Sequence, residues 1–409
     1  MIASVLFAGS VVNYIDRAVL SVLMQQVRAD LVLTNAQYGL ALNAFLIVYA
    51  AFYIWGGRMA DRVGCRIGVF VTLTVWSIAS VAHAFVSGLV SLCAARALLG
   101  AGEGAFYPSA IRGIAEWFPE ESRAKPIGLV LAGISAGTLL TPPVAAWIAL
   151  EYGWRAAFVA TGALGFLLLP VWLAVHRAIR RAYGMAEPAP AYRQSRVGGG
   201  FPLGKALRAS KYWFALAARA FSDTAWYFYL FWLPGYFQAE RGYDAAKVGR
   251  LLWIPFFFAG VGALSGGWAV SALVRRGLGV SDARRAALLA AAALCIIGSL
   301  AFAPGPTAAL VLVSVALFGH QAWATNIHTA ITEISPPEHA AVLYGISGAA
   351  GTLIGAACQP AIGHLVDVRG YTLGFVAAGT CYACGAAALV FGVGRIEPLA
   401  QPVSSASSV

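Results

Sequence analysis

The stretch "GGRMADRVGCRIG" (residues 56–68) decides how the chain is read. It is basic and rich in glycine, and it joins two apolar runs, 35–60 and 67–86. A helix crosses a bilayer in about 20 apolar residues, so each run is long enough to span. The glycines allow the tight bend that returns the chain through the membrane. Working outward, the same alternation continues through stretches at roughly 1–26, 88–115, 125–150, 154–176, 209–236, 248–274, 284–303, 306–331, 340–366 and 371–394. Hydrophobic residues form 60% of the chain and charged ones 11%, against about 25% charged in a soluble domain. The expectation is an all-α membrane protein with twelve transmembrane helices; the short alternating strands of a membrane barrel are excluded.

The net charge of +11 invites a nucleic-acid reading, which the positions of the basic residues remove. With an even number of crossings, Arg28, Arg155, Arg241, Lys247, Arg250 and Arg369 fall on one side of the membrane, and Arg17, Arg96 and Arg219 fall inside spans. All the other basic residues fall on the opposite side, which marks the cytoplasm. Both termini are therefore expected inside, in a bacterial inner (plasma) membrane, with no nucleic-acid partner. Six cysteines are scattered through apolar segments. Cys381 and Cys384 form a CxxC without a second pair, so buried thiols are expected and no metal site. The first apolar run is long enough to span and has no convincing cleavage site, so no cleavable signal is expected.

The longest polar interval, 177–208, is basic and rich in Pro, Gly and Ala. It reads as a cytoplasmic linker between two six-helix bundles, 1–176 and 209–395, with a cytoplasmic tail at 396–409. The halves echo each other: "YGWRAAF" (152–158) and "RGYTLGF" (369–375) each place an aromatic one residue, and Phe five residues, after a Gly. Two pseudo-symmetric six-helix repeats form a transporter architecture.

Within the opening stretch, Gly57, Asp61, Arg62, Gly64 and Arg66 fit the pattern G-x-x-x-D-R-x-G-x-R. In this the chain resembles the major facilitator superfamily. Asp61 is expected to cap a helix start or to pair with an arginine across a cytoplasmic gate. The whole motif is assigned to gating and structure.

The fourth stretch carries "RALLGAGEGAFYPS" (96–109). Arg96 and Glu103 lie two helical turns apart on one face. Gly100, Gly102 and Gly104 leave room for a neighbouring backbone. A charge at the bilayer centre costs about 2.5–3.5 kcal/mol on insertion scales, so an intramembrane acid is by default functional; a structural pair of Arg96 with Glu103 is the plainer alternative. The first stretch carries "VVNYIDRAVL" (11–20), where Asp16 and Arg17 point about 100° apart and must find separate partners. Asn13 and Arg17 share a face, with Tyr14 beside them. A carboxylate that spends part of a cycle out of water can carry a proton, whereas arginine keeps its charge and its planar fork matches a carboxylate. Asp16 is therefore the proton candidate and Arg17 the anion candidate.

"NYIDRAVLS" together with "GEGAFYPS" resembles the anion:cation symporter family within that superfamily. The resemblance implies proton coupling at Asp16 and Glu103, a substrate carboxylate held by Arg17, and substrate contacts at Tyr14, Asn13 and Tyr49. In the second half, "DTAWYFYLFWLPGYF" (223–237), "WIPFFFAGVGALSGGW" (253–268) and "GHQAWATNIHT" (319–329) are most similar to hexuronate transporters. That implies a substrate surface at His320, Gln321, Trp323, Asn326 and Ser347. Two departures qualify the substrate: the fifth stretch offers only Ser135, Thr138 and Thr141, and Gly348 stands where several relatives carry Asn.

The expected function is import of a sugar acid such as glucuronate or galacturonate by a monomeric proton symporter, with no cofactor beyond the coupling proton. The alternative within transport is a carrier or exchanger of a less hydroxylated acid, aromatic or short and dicarboxylic. A membrane-embedded enzyme is disfavoured, because no nucleophile, metal cluster or cofactor motif is present, and a receptor or channel is disfavoured, because it would not need protonatable acids in both the first and the fourth stretch. "GISAG" (133–137) matches a serine-hydrolase pattern but lacks the strand-turn-helix setting. Arg219 and Asp223, four apart on one helix, read as a structural pair.

Overall fold

The computed structural model describes residues 1–118, 123–183, 203–303, 305–336 and 339–399. Most of the expected linker, and the tail beyond residue 399, lie outside the described residues. The helices are α1 (Ile2–Val22), α2 (Met24–Leu31), α3 (Asn35–Ala82), α4 (Leu89–Trp117), α5 (Ala124–Tyr152), α6 (Trp154–Tyr183), α7 (Leu203–Arg208), α8 (Ser210–Ala239), α9 (Ala245–Leu251), α10 (Trp253–Arg275), α11 (Val280–Gly298), α12 (Pro306–Ile334), α13 (Ala340–Arg369) and α14 (Thr372–Ala387). Among the described residues, 11 helical stretches are long and apolar enough to cross a membrane. The remaining expected span is α8, 30 residues long, in which Arg219, Asp223 and a run of Trp and Tyr lower the hydropathy. Large apolar side chains such as Leu264, Trp268 and Phe391 stand exposed along the helices, a surface suited to lipid rather than water.

The turn at 56–68 breaks the helix at one residue. Within α3, which carries the span Asn35–Ala60 and most of the span Arg62–Phe85, only Gly64 leaves helical geometry, at φ 75° and ψ 168°. A side chain there would be strained, so glycine is required. The helix that restarts at Cys65 is capped by Glu116, near the end of α4, whose carboxylate oxygens accept from the Cys65 N–H at 3.2 and 3.4 Å. Arg112 holds that carboxylate at 2.8 Å. The side chain of Asp61 lies outside the described ones, so the capping seen here belongs to Glu116. Arg62 is exposed, and half-buried Arg66 offers its carbonyl to Trp172 Nε1 at 3.0 Å. Gly57 has nothing within 4 Å of an added Cβ.

The sequence echo between the halves has a backbone basis. Gly153, between α5 and α6, has φ 82°, and Gly370, between α13 and α14, has φ 68°. Each donates its N–H to the carbonyl four residues back, Ala149 and Val366, so a positive-φ glycine follows the helix at the equivalent place in both halves.

By contact the chain divides into two units. Unit 1 contains 1–194, 228–257 and 356–373; unit 2 contains 195–227, 258–355 and 374–409. The later segments join unit 1 through close contacts. An added Cβ on Gly39 would strike the Gln359 carbonyl, and one on Gly363 the Asn35 carbonyl. Asp367 on α13 accepts from the N–H groups of Asn35 and Ala36 at 3.0 and 2.9 Å and from Asn35 Nδ2 at 2.8 Å. That carboxylate meets the first turn of α3, where anions are favoured.

Candidate functional site

In unit 1, where the intramembrane charges lie, glycines let α4 approach α3 and α5 approach α1. Added Cβ atoms on Gly100 and Gly104 of α4 would strike the carbonyls of Phe45 and Tyr49 on α3. On another face of α4, an added Cβ at Gly102 would lie 2.5 Å from the Trp76 nitrogen. Gly133 and Gly137 of α5 meet the Phe7 and Val11 carbonyls of α1 in the same way. The "GISAG" stretch is thus a helix-packing surface, with Ser135 exposed.

At this crossing Arg17 is buried, and its Nε donates to Glu103 Oε2 at 2.9 Å. Its Nη2 donates to Asn13 Oδ1 at 3.3 Å. The guanidinium lies 4.5 Å from the Tyr14 ring centroid, 4.6 Å from Tyr49 and 5.4 Å from Phe45, each within cation–π range. Asn13, Tyr14, Arg17, Tyr49 and Glu103 therefore form one constellation, to which the structure adds Phe45. The second oxygen of Glu103 and the Nδ2 of Asn13 have no hydrogen-bond partner among the described residues.

Asp16 is directed elsewhere. It is fully buried, and Oδ1 accepts from Ser80 Oγ at 2.6 Å. Ser80 in turn lies 3.3 Å from Thr161 Oγ1 on α6. Asp16 and Arg17, adjacent in sequence, thus face different helices. The plainer pairing of Arg96 with Glu103 is not made: Arg96 is fully buried, its guanidinium carries no hydrogen bond among the described residues, and it sits 4.6 Å from the Phe45 ring. Ser80, Thr161 and Phe45 were not among the residues read from the sequence. Ser80 is 64 residues from Asp16, and no local spacing marks it.

In unit 2 the residues expected to meet a substrate are mostly engaged with protein. Asn326 Oδ1 accepts from Arg284 at 3.2 Å, and Nδ2 donates to the carbonyls of Gly266 and Ala322 at 3.0 and 2.9 Å. Arg284 also forms a bidentate pair with Glu333, at 2.8 and 2.6 Å. Trp323 is fully buried, edge-on to Tyr382. His320 stacks on Trp226 with ring centroids 4.7 Å apart, and its Nδ1 is 2.5 Å from the Tyr382 hydroxyl. Ser347 accepts from Arg219 Nη1 at 2.8 Å. Gln321 is half-buried, and its amide makes no hydrogen bond among the described residues. Among the described residues no group of His, Cys, Asp and Glu has the arrangement of a metal site.

Comparisons with known proteins agree with this architecture. The family model described as Major Facilitator Superfamily matches residues 6–358. A D-galactonate transporter of Escherichia coli is 29% identical over 412 residues, covering 96% of this chain and 95% of that protein. A hexuronate transporter of Escherichia coli K12 is 24% identical over 375 residues, covering 89% and 87%. The crystal structure of a D-xylose-proton symporter superposes with a TM-score of 0.76 at 18% identity, covering 97% of this chain and 98% of that one.

Proposed function

The chain belongs to the Major Facilitator Superfamily, and from that premise we propose that it is a proton-coupled symporter that imports a sugar acid by alternating access. Its class is that of a transporter, not an enzyme. The names of its relatives support aldonates and hexuronates as the substrate class. The observation that carries the coupling is the Arg17–Glu103 pair.

Arg17 is the group suited to a substrate carboxylate, and in this structure Glu103 already occupies it. Removing one partner of a buried pair costs about 3–5 kcal/mol, because the other charge is left uncompensated. Glu103 and the substrate therefore compete for one guanidinium. A proton on Glu103 cancels its charge and frees Arg17, and the incoming carboxylate then restores the lost compensation. Loss of that proton at the cytoplasmic side re-forms the pair and expels the substrate. Tyr14, Tyr49 and Phe45 keep the guanidinium in place through the exchange. Asp16, held by Ser80, serves as a second proton site. The protein works as a monomer in the bacterial inner membrane, with both termini cytoplasmic.

A second reading, a carrier of a less hydroxylated acid, is favoured by the shortage of free hydroxyls. Thr138 and Thr141 donate to the carbonyls of Ile134 and Gly137 in their own helix, and Ser135 faces outward. Uptake by proteoliposomes under an inward proton gradient decides between the two. Galactonate, galacturonate, a short dicarboxylate and an aromatic acid are offered in turn. Accumulation of the first two supports the sugar-acid reading; accumulation of only the others supports the alternative; accumulation of none contradicts both.

A further inference from the structure

Arg219 and Asp223 on α8 belong to neither proton site, and their geometry is not that of a closed ion pair. Arg219 is buried. Its Nη1 is anchored on α13, donating to Ser347 Oγ at 2.8 Å and to the Tyr344 carbonyl at 3.3 Å, and the guanidinium lies 4.7 Å from the Tyr344 ring. The opposite edge of the fork, Nε and Nη2, is the edge that grips a carboxylate with two parallel bonds. Among the described residues Nε has no hydrogen bond: Asp223 Oδ2 is 3.5 Å away. Nη2 faces Gly348, where an added Cβ would stand only 3.0 Å from it. The Asp223 side chain is 20% exposed, and it lies against Gly351, where any Cβ would collide with its carboxylate. Arg17 differs, since both Nε and Nη2 are occupied.

We propose that unit 2 carries an anion site of its own, in which the anchored Arg219 fork takes a carboxylate or sulfonate group and Asp223 is the internal anion that the ligand displaces. Gly348 leaves room beside the Arg219 fork, and Gly351 makes room for the Asp223 carboxylate; in this light Gly348, the departure noted in the sequence, replaces a neutral hydrogen-bonding group with room beside a cation. The ligand group is the second anionic group of a dianionic substrate, such as an aldarate, whose first carboxylate is held by Arg17. The inference rests on the carrier reading above.

Binding of galactonate, galacturonate, galactarate and sulfoacetate to the purified full-length protein in nanodiscs tests it, using wild type, Asp223→Asn and Arg219→Gln. Asp223→Asn is nearly isosteric and frees the fork, so affinity is expected to rise at least threefold, a gain that misfolding cannot imitate. Arg219→Gln is expected to lower affinity at least tenfold. Changes confined to galactarate and sulfoacetate support the second anionic group as the ligand; parallel changes across the panel, galactonate and galacturonate included, would contradict it. If wild type binds members of the panel while both variants stay within twofold of it, or if Asp223→Asn weakens binding, the site is overturned and the carrier reading stands. If wild type binds none of the four, both fall.

Discussion

At the scale of single residues, the proposed mechanism centres on a competition for Arg17. Its side chain satisfies Glu103 with Nε and Asn13 with Nη2, a geometry a point charge cannot reproduce. Arg17→Lys is therefore expected to keep much of the folding stability while lowering affinity for the sugar acid at least tenfold, about 1.4 kcal/mol. Arg17→Ala leaves Glu103 buried and uncompensated, so its loss of thermal stability should be clearly larger; equal stability and affinity in the two variants would count against the fork. The sequence carried the chemistry of these residues but only part of their pairing. That Asp16 and Arg17 diverge follows from the helical turn and is seen. That Glu103 faces Arg17 and not Arg96 depends on how α1 and α4 cross, which is fixed by contacts between residues far apart in the chain. The engagement of Asn326 by Arg284 is of the same kind, because both of its partners beyond its own helix come from distant segments.

At the scale of elements, glycine spacing sets the crossings. Gly100 and Gly104 are four residues apart on one face of α4, a small-residue pattern legible in the sequence; Gly133 and Gly137 repeat the arrangement on α5, where the sequence reading noted only a chance hydrolase match. Their consequence was not, since it depends on which neighbour fills the gap. For Gly104 the neighbour is Tyr49, whose carbonyl would lie 2.5 Å from an added Cβ. Gly104→Ala should cost about 1–3 kcal/mol through overpacking and also weaken substrate binding by pushing Tyr49 from Arg17. Gly57→Ala meets nothing within 4 Å and should leave thermal unfolding unchanged or slightly raised, since alanine favours helix by up to about 1 kcal/mol. Thermal unfolding of the two variants side by side separates a packing glycine from a permissive one. A Gly104→Ala protein as stable as wild type would remove the packing explanation.

At the scale of the whole molecule, the distribution of charge predicts the side on which each loop emerges. Within unit 1 the assignment has a local counterpart: Asp30, at the end of α2, pairs with Arg155, at the start of α6, at 2.6 Å, and both lie on the side with few basic residues. Glu116 and Cys65 meet on the basic side. A cysteine introduced by Asp30→Cys, in a background lacking the native thiols, should react with a membrane-impermeant maleimide in intact cells, whereas one introduced by Val63→Cys should react only after the membrane is opened; the reverse pattern would invert the topology. Transport itself is the property that joins these scales, and in the proposed mechanism Glu103 is where the proton and the substrate meet. The most direct measurement is uptake of galactonate or galacturonate into proteoliposomes by wild type and Glu103→Gln, with and without an inward proton gradient. The account predicts that wild type accumulates the acid against its concentration gradient, whereas Glu103→Gln, with Arg17 permanently free of a competing charge, exchanges substrate across the membrane but does not accumulate it. Undiminished proton-driven accumulation by Glu103→Gln would contradict it.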